Sequence, residues 1–153
     1  MTELLETVEH ETGPHPLWSV LWLHGLGADG HDFAPIVPEL LRRDWPAVRF
    51  VFPHAPVRAV TINGGARMRA WYDIRDMNLA NRADSEGVAE SVAQVEALIA
   101  REAERGIGAE RLLLAGFSQG ACLASEFVAR HARRYGGLLA FSGGLIGPPD
   151  TLR

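Results

Sequence analysis

Hydrophobic residues fall into short continuous runs, separated by turns rich in glycine and proline. A continuous apolar run of strand length is typical of a strand buried on both faces of a sheet. Such runs predict core strands at residues 17–23, 48–53, 112–115 and 137–142, with a weaker strand at 4–11. A strong turn signal, TGPHP, joins 4–11 to 17–23, so we expect these two strands to pair as an antiparallel hairpin at the sheet edge.

Helical patterns lie between the predicted strands. The clearest helix covers residues 84–105, and Asp84 or Ser85 can cap its first turn. Its apolar residues recur at helical spacing on one face: Val88, Val92, Val95 and Ile99. Further helices are predicted at 33–43 and 119–134, whereas 54–81 is predicted to be a long irregular loop. Strands that alternate with helices in this way predict an α/β fold with a mainly parallel sheet, in a single domain spanning 1–153.

The composition is that of a globular protein and excludes several functional classes. The chain has 153 residues, 47% of them hydrophobic and 22% charged, with a net charge of -4. The only basic clusters are two arginine pairs, at 42–43 and 133–134, which argues against nucleic acid or an anionic membrane as the main partner. No apolar run approaches the ~20 residues of a membrane span. The acidic N-terminus lacks the features of a signal peptide, so a cytoplasmic location is expected.

Cysteine and metal chemistry have little support in the sequence. Cys122 is the single cysteine, so an internal disulfide is excluded. Asp29, His31 and Asp32 lie close together in a loop, but polar clusters of this kind are usually solvated. We therefore predict no metal site and no cofactor.

The stretch 111–124 (RLLLAGFSQGACLA) carries the strongest chemical signal. A leucine-rich strand stops at the pentapeptide Gly116-Phe117-Ser118-Gln119-Gly120, and small helix-compatible residues follow it. In this G-x-S-x-G arrangement the serine occupies a sharp strand-to-helix turn, where its hydroxyl is exposed above the sheet edge. Glycines two residues before and after the serine remove side chains that would collide. We interpret Ser118 as a nucleophile; the alternative is an ordinary turn, in which serine and glycine are also common.

A nucleophilic serine needs hydrogen-bond donors for the oxyanion that forms when it attacks a carbonyl. One donor would be the backbone N–H of Gln119, which lies at a helix N-terminus. The second would come from the glycine-rich loop 24–30 after strand 17–23, with the Leu26 N–H as the best candidate. Both turns would open on the same edge of a parallel sheet, where ligands bind in open α/β folds.

Together these motifs resemble the phospholipase/carboxylesterase family of α/β-hydrolases, which includes the acyl-protein thioesterases. The matching stretches, in family order, are 23–30 (LHGLGADG), 52–60 (FPHAPVRAV) leading into 70–74 (AWYDI), and 115–120 (AGFSQG). The resemblance implies that Ser118 is the nucleophile and that Leu26 and Gln119 are the oxyanion donors. It also implies that Trp71 belongs to a segment flanking the acyl-binding groove, and that His24 is a structural loop residue.

The chain departs from the family after the nucleophile. In this family an acid and a base follow the serine, on later loops in the order Asp, His. After Ser118 this sequence has one aspartate, Asp150, and one histidine, His131, and neither stands at a triad position. We therefore expect the N-terminal two-thirds of a hydrolase, nearly inactive as it stands. Strand 137–142 would be an unpaired apolar edge, which makes a homo-oligomer one possible assembly.

Three functions follow from these observations. The first is a serine hydrolase of carboxylic esters, lysophospholipids or acyl thioesters, acting through an acyl-enzyme. The second is a non-catalytic binding module that keeps the pocket but lacks the triad. The third is another α/β-hydrolase, such as a dienelactone hydrolase or a peptidase, because many chemistries share the same serine turn.

Overall fold

The computed structural model describes residues 3–75, 84–131 and 134–141. Its strands are β1 (Thr7–Glu11), β2 (Trp18–Leu23), β3 (Val48–Pro53), β4 (Val57–Val60), β5 (Ala66–Arg69), β6 (Leu112–Phe117) and β7 (Gly137–Phe141). Its α-helices are α1 (Val37–Leu40), α2 (Ser85–Glu104) and α3 (Gln119–Arg130). None of the helices in these ranges is both long enough and apolar enough to span a bilayer.

Five strands form one sheet in the order β1-β3-β2-β6-β7. The β3, β2, β6 and β7 strands run parallel, and β1 is antiparallel to β3 at one edge. The predicted α/β architecture with a mainly parallel sheet is therefore confirmed. Because parallel strands align their carboxyl ends, the turns that follow β2 and β6 meet at one edge of the sheet.

The predicted hairpin between the first two strands is wrong. Strand β1 pairs with β3 instead, with Thr7 opposite Pro53 and Glu11 opposite Arg49. Both edges of β2 are already occupied by the apolar parallel strands β3 and β6, so β1 has no free edge of β2 to join. The turn after β1 is tied to the start of β3, because Thr12 N–H donates to the Val48 carbonyl at 2.9 Å and Thr12 Oγ1 accepts from Val48 N–H at 2.9 Å.

Each face of the sheet has its own hydrophobic core. Alternation along β2 sends Leu21 and Leu23 to the face covered by α2 and α3, whose partners include Val95 and Phe127. The intervening Trp22 belongs to the other face, where it packs with the phenylalanines of β3 and with Phe33. Strands β2 and β3 are therefore buried on both faces, as their continuous apolar runs predicted.

Three elements differ from their predicted extents. The helix expected at 33–43 is a short 3-10 turn, Ala34–Ile36, followed by α1, because prolines near the start of each segment interrupt the hydrogen-bond ladder. The segment expected to be an irregular loop contains the antiparallel hairpin of β4 and β5. Helix α3 ends at Arg130, because His131 adopts an extended conformation. Helix α2 matches its prediction, and the Asp84 side chain caps it by accepting from Gly87 N–H at 3.1 Å.

Candidate active site

Ser118 lies between the end of β6 and the start of α3, in a strained conformation. Its φ of 56° and ψ of -116° are values that residues with a side chain rarely adopt. The turn is held on both sides, because Ser118 N–H donates to the Phe141 carbonyl at 2.8 Å and the Ser118 carbonyl accepts from Cys122 N–H at 3.0 Å. Such strain at a strand-to-helix turn projects a hydroxyl above the sheet edge.

The two glycines of the turn are sterically required. A Cβ on Gly116 would lie 2.7 Å from the backbone nitrogen of Ala121 and closer still to the Gly120 carbonyl. A Cβ on Gly120 would lie 2.5 Å from the His24 carbonyl oxygen and closer still to that of Leu23. The helix can therefore approach the strand, and the loop after β2 can approach the helix, only because both positions lack side chains.

The loop after β2 lies directly against Ser118. A Cβ on Gly25 would be 3.5 Å from Ser118 Cβ. Two amides of this loop are already bonded, because Gly27 N–H donates to the Arg69 carbonyl at 2.9 Å and Ala28 N–H donates to the Gly25 carbonyl at 3.2 Å. The Leu26 N–H has no acceptor among residues 3–75, 84–131 and 134–141.

Gln119 begins helix α3, so its backbone N–H has no partner within the helix. Its side chain is only 4% exposed and bonds to the segment after β5. There Oε1 accepts from Trp71 N–H at 2.8 Å and Nε2 donates to the Tyr72 carbonyl at 2.8 Å. The sequence pointed to the backbone of Gln119 but missed this role of its side chain.

Trp71 has no exposed surface, so its side chain faces the protein interior rather than an open groove. Its indole Nε1–H donates to the His24 carbonyl at 2.9 Å, and its ring lies 5.2 Å from the His24 ring. Its own carbonyl accepts a short hydrogen bond from Ser91 Oγ on α2. Ser91 was missed in the sequence, although a serine on the apolar face of α2 is a signal for a buried polar contact.

Two histidines stabilise the loop after β2 as neutral acceptors. His24 Nε2 accepts from Ala55 N–H at 3.0 Å, while its Nδ1–H donates to the Gly25 carbonyl at 2.7 Å. His54 Nδ1 accepts from Gly30 N–H at 3.0 Å. Burial lowers the pKa of His24, and burial together with the nearby Arg69 charge lowers the pKa of His54. Both rings are therefore engaged in holding the loop.

His131 lies away from Ser118, beyond the far end of helix α3. His131 follows the last residue of α3, so a helix of twelve residues, about 18 Å long, separates it from Ser118. Its ring stacks on Phe127 with the centroids 4.0 Å apart, and its Nδ1 lies 2.8 Å from the Phe127 carbonyl. Asp150 lies outside the described residues.

The acidic and histidine residues of loop 29–32 form local contacts. Asp29 Oδ1 accepts from His31 N–H at 2.8 Å, which turns the chain. Within the part of the chain that the structure describes, no three histidine, cysteine or acidic side chains come together as ligands for a metal ion.

Known proteins resemble this chain in both sequence and fold. The phospholipase/carboxylesterase family matches residues 5–152. The chain belongs to this family. Among its relatives are acyl-protein thioesterase 1 homolog 1 of Dictyostelium discoideum, 39% identical over 127 residues, and acyl-protein thioesterase 1 of Saccharomyces cerevisiae, 38% identical over 129 residues.

The fold comparison agrees with the family assignment. The crystal structure of Arabidopsis thaliana SOBER1 matches with a TM-score of 0.79 and 32% identity, over 86% of this chain and 63% of that one. The two thioesterase matches each cover 82% of this chain, but only 56% and 57% of the respective relatives. The chain therefore spans little more than half the length of these relatives.

Proposed function

We propose that the whole protein is a serine hydrolase of carboxylic esters and thioesters, with Ser118 as its nucleophile. The observation that carries this proposal is the conformation of Ser118, a non-glycine residue at positive φ between a buried strand and a helix. Strain of this kind persists only where the surrounding structure imposes it, and it clusters at active sites. The family membership supports the same class of reaction.

The proposed reaction proceeds in two steps. Ser118 Oγ attacks the carbonyl carbon while its proton passes to a general base, and collapse of the tetrahedral intermediate expels the protonated alcohol or thiol. Water then attacks the acyl-enzyme, so that the carboxylic acid leaves and the Ser118 hydroxyl is restored. His131 lies too far along α3 for the role of base, so we propose that the acid and base belong to the part of the relatives' length that this chain does not span.

The Leu26 and Gln119 N–H groups are the proposed oxyanion donors. Support comes from the position of Gly25 against Ser118 and from the place of Gln119 at the first residue of α3. The dipole of α3 adds to the stabilisation of negative charge at this point. Donors fixed before the reaction act without reorganisation, which is why such groups contribute strongly to rate.

The names of the relatives, which are acyl-protein thioesterases, support the proposed substrate class. We propose acyl thioesters and carboxylic esters, including lysophospholipids, as substrates, and a cytoplasmic location. Acyl transfer through a serine requires no cofactor. The exposed apolar side chains of β7 (Leu138, Leu139 and Phe141) are compatible with self-association, so a homo-oligomer remains part of the proposal.

The test is hydrolysis of a chromogenic short-chain ester and of an acyl thioester by the protein encoded in the complete reading frame. Loss of the nucleophile costs on the order of 10⁴ to 10⁶ in kcat, so Ser118→Ala should be nearly inactive. Ser125→Ala, a serine on the same helix, is the matched control and should retain activity. Equal activity in Ser118→Ala and the unmodified protein would contradict the assignment.

The alternatives give different outcomes in the same assay. A protein that binds an ester analogue without turnover would favour the binding module. Turnover restricted to cyclic enol lactones or to peptides would favour a dienelactone hydrolase or a peptidase instead.

A further inference from the structure

Trp71 makes three hydrogen bonds around the candidate site. Its three polar groups are all hydrogen-bonded within the protein, although the residue has no exposed surface. The backbone N–H donates to Gln119 Oε1 and the indole N–H donates to the His24 carbonyl. The carbonyl accepts from Ser91 Oγ on α2.

Two of these bonds reach the two elements that carry the oxyanion donors. The His24 carbonyl lies two residues before Leu26 in the loop after β2. The Gln119 side chain belongs to the second donor residue itself, and it is clamped a second time by its bond to the Tyr72 carbonyl at 2.8 Å. Trp71 therefore bridges two elements that are far apart in the sequence.

Ser91 connects this bridge to a long helix. Helix α2 runs from Ser85 to Glu104 and packs its apolar face on the sheet. Ser91 is completely buried in that face, and its hydroxyl donates to Trp71. Through this contact the bridge is fixed to helix α2.

A pair of donors is effective only when both reach the developing oxyanion at about 2.7–3.1 Å. A displacement of about 1 Å can cost roughly 100-fold in rate. The donors of this site lie on different elements, so their separation depends on whatever ties the loop after β2 to the start of α3. Direct contact between Gly120 and the His24 carbonyl supplies close packing, and Trp71 supplies directional bonds to both sides.

We propose that Trp71 is a positioning residue that sets the separation of the Leu26 and Gln119 N–H groups. This inference rests on the proposed hydrolase function. In this role Trp71 acts indirectly, through hydrogen bonds to both donor elements, and its buried side chain makes no contact with the substrate.

The main test is Trp71→Phe in the protein encoded by the complete reading frame, assayed with a soluble chromogenic ester. Phenylalanine keeps an aromatic ring and the backbone N–H but loses the indole donor to His24. We expect kcat to fall about 10-fold to 100-fold with KM changed less than about twofold. Trp45→Phe is the control, because Trp45 is 50% exposed in the segment before β3 and should leave both constants unchanged.

Ser91→Ala is the second variant. Phenylalanine is smaller than tryptophan, so Trp71→Phe also leaves a cavity in the core, and Ser91→Ala tests the same role without that cavity. It removes the support of Trp71 from α2 and leaves both donor residues unchanged. We expect a smaller fall in kcat, about 3-fold to 10-fold, again at constant KM and at a temperature well below the unfolding midpoint. If Trp71→Phe does not fold, this variant decides the question. Unchanged kcat in Ser91→Ala, or in a folded Trp71→Phe, would overturn the inference.

A measurement without turnover separates this inference from the hydrolase assignment. In NMR spectra of the ¹⁵N-labelled protein, Trp71→Phe should move the backbone amide resonances of both Leu26 and Gln119, whereas Trp45→Phe should move neither. If the unmodified protein lacks hydrolase activity, the proposed function fails whatever the spectra show. If only one of the two resonances moves, Trp71 does not couple the donors and the positioning role is wrong.

Discussion

The contacts around Trp71 and those at the amino ends of the strands bury different kinds of polar group. At the carboxyl ends of the strands, the bonds around Trp71, Gln119 and Ser91 join neutral groups. At the amino ends, Glu102 of α2 is 1% exposed and pairs with Arg49 of β3 at 3.0 Å and with Arg105 at 3.1 Å. Ser19 Oγ of β2 donates a further short bond to Glu102.

The contrast has a physical reason. Negative charge develops on the oxyanion during the proposed reaction, so a fixed carboxylate nearby would raise the energy of the transition state. Neutral amides and an indole can hold the donors without that penalty. At the opposite end no charge develops, and ion pairs can tie α2 to β1 and β3 through Glu9, Glu11, Arg49, Arg101 and Arg105. We therefore expect the ionic end to affect stability alone and the neutral end to affect both stability and catalysis.

The largest stability effect is expected at the ionic end, for Glu102→Ala. Glu102→Ala removes one of the two carboxylates that pair with the buried Arg49 and leaves Glu11 as its remaining partner. Because a buried ion pair is broken but one partner stays, we expect a cost of about 3 kcal/mol in the free energy of unfolding. The kcat of the folded fraction should be unchanged. Urea denaturation and ester hydrolysis measure the two effects, with the exposed Glu104→Ala on the same helix as the control. A loss of kcat in Glu102→Ala would break the proposed division between the two ends.

Gly120→Ala is expected to be the next largest change, and it should affect both properties. The added Cβ would overlap the Leu23 and His24 carbonyl oxygens, so the loop that carries Leu26 must move away from α3. We expect a loss of about 1–3 kcal/mol in stability and at least about 100-fold in kcat.

The control for Gly120→Ala is Gly64→Ala. Gly64 has a φ of 68° and open space around it, so its substitution should cost about 1 kcal/mol of backbone strain and leave kcat unchanged. Retention of full activity in Gly120→Ala would contradict the close approach of the loop to the helix.

The sequence was informative where a single local signal decides the structure. The apolar runs predicted the core strands, and the spacing Gly116-x-Ser118-x-Gly120 predicted a turn that depends on glycine. It was less informative where pairing is decided by competition between distant segments. Strand β1 joined β3 because β2 was already paired on both sides, and no local pattern near residue 7 records that fact.

The supporting contacts of the site were also hidden in the sequence. The side-chain bonds of Gln119 join residues 47 and 48 positions apart, and the bond of Trp71 to His24 spans 47 positions. A pattern read along the chain can mark Gln119 as part of a serine turn. It cannot show that the side-chain amide of Gln119 forms hydrogen bonds with Trp71 and Tyr72, which follow the hairpin of β4 and β5.

The smallest expected effect is a difference between the two ends in how their contribution to the free energy of unfolding depends on pH. His24 and His54 have folded pKa values below the ordinary 6.5, so unfolded chains bind more protons as the pH falls below that value. Their contribution to stability is therefore complete above about pH 6.5 and is lost as the pH falls through their lowered folded values. Arg69 and His31 oppose protonation of His54, whereas Asp29 and Glu6 favour it.

The ionic end should respond in a more acidic window. Burial acts to raise the pKa of Glu9, but hydrogen bonds from Thr7 and Arg105 and the charges of Arg105 and Arg101 outweigh it and lower the pKa below 4.5. Its contribution is present above pH 4.5 and is lost as the pH falls through the lowered value. As the pH falls, the free energy of unfolding should decrease in two stages, the first below about pH 6.5 and the second below about pH 4.5. His54→Asn keeps a hydrogen-bond acceptor that does not titrate, so it should reduce only the first decrease. Glu9→Gln should reduce only the second. A single stage, or an effect of Glu9→Gln above pH 6, would show that the two ends do not titrate independently.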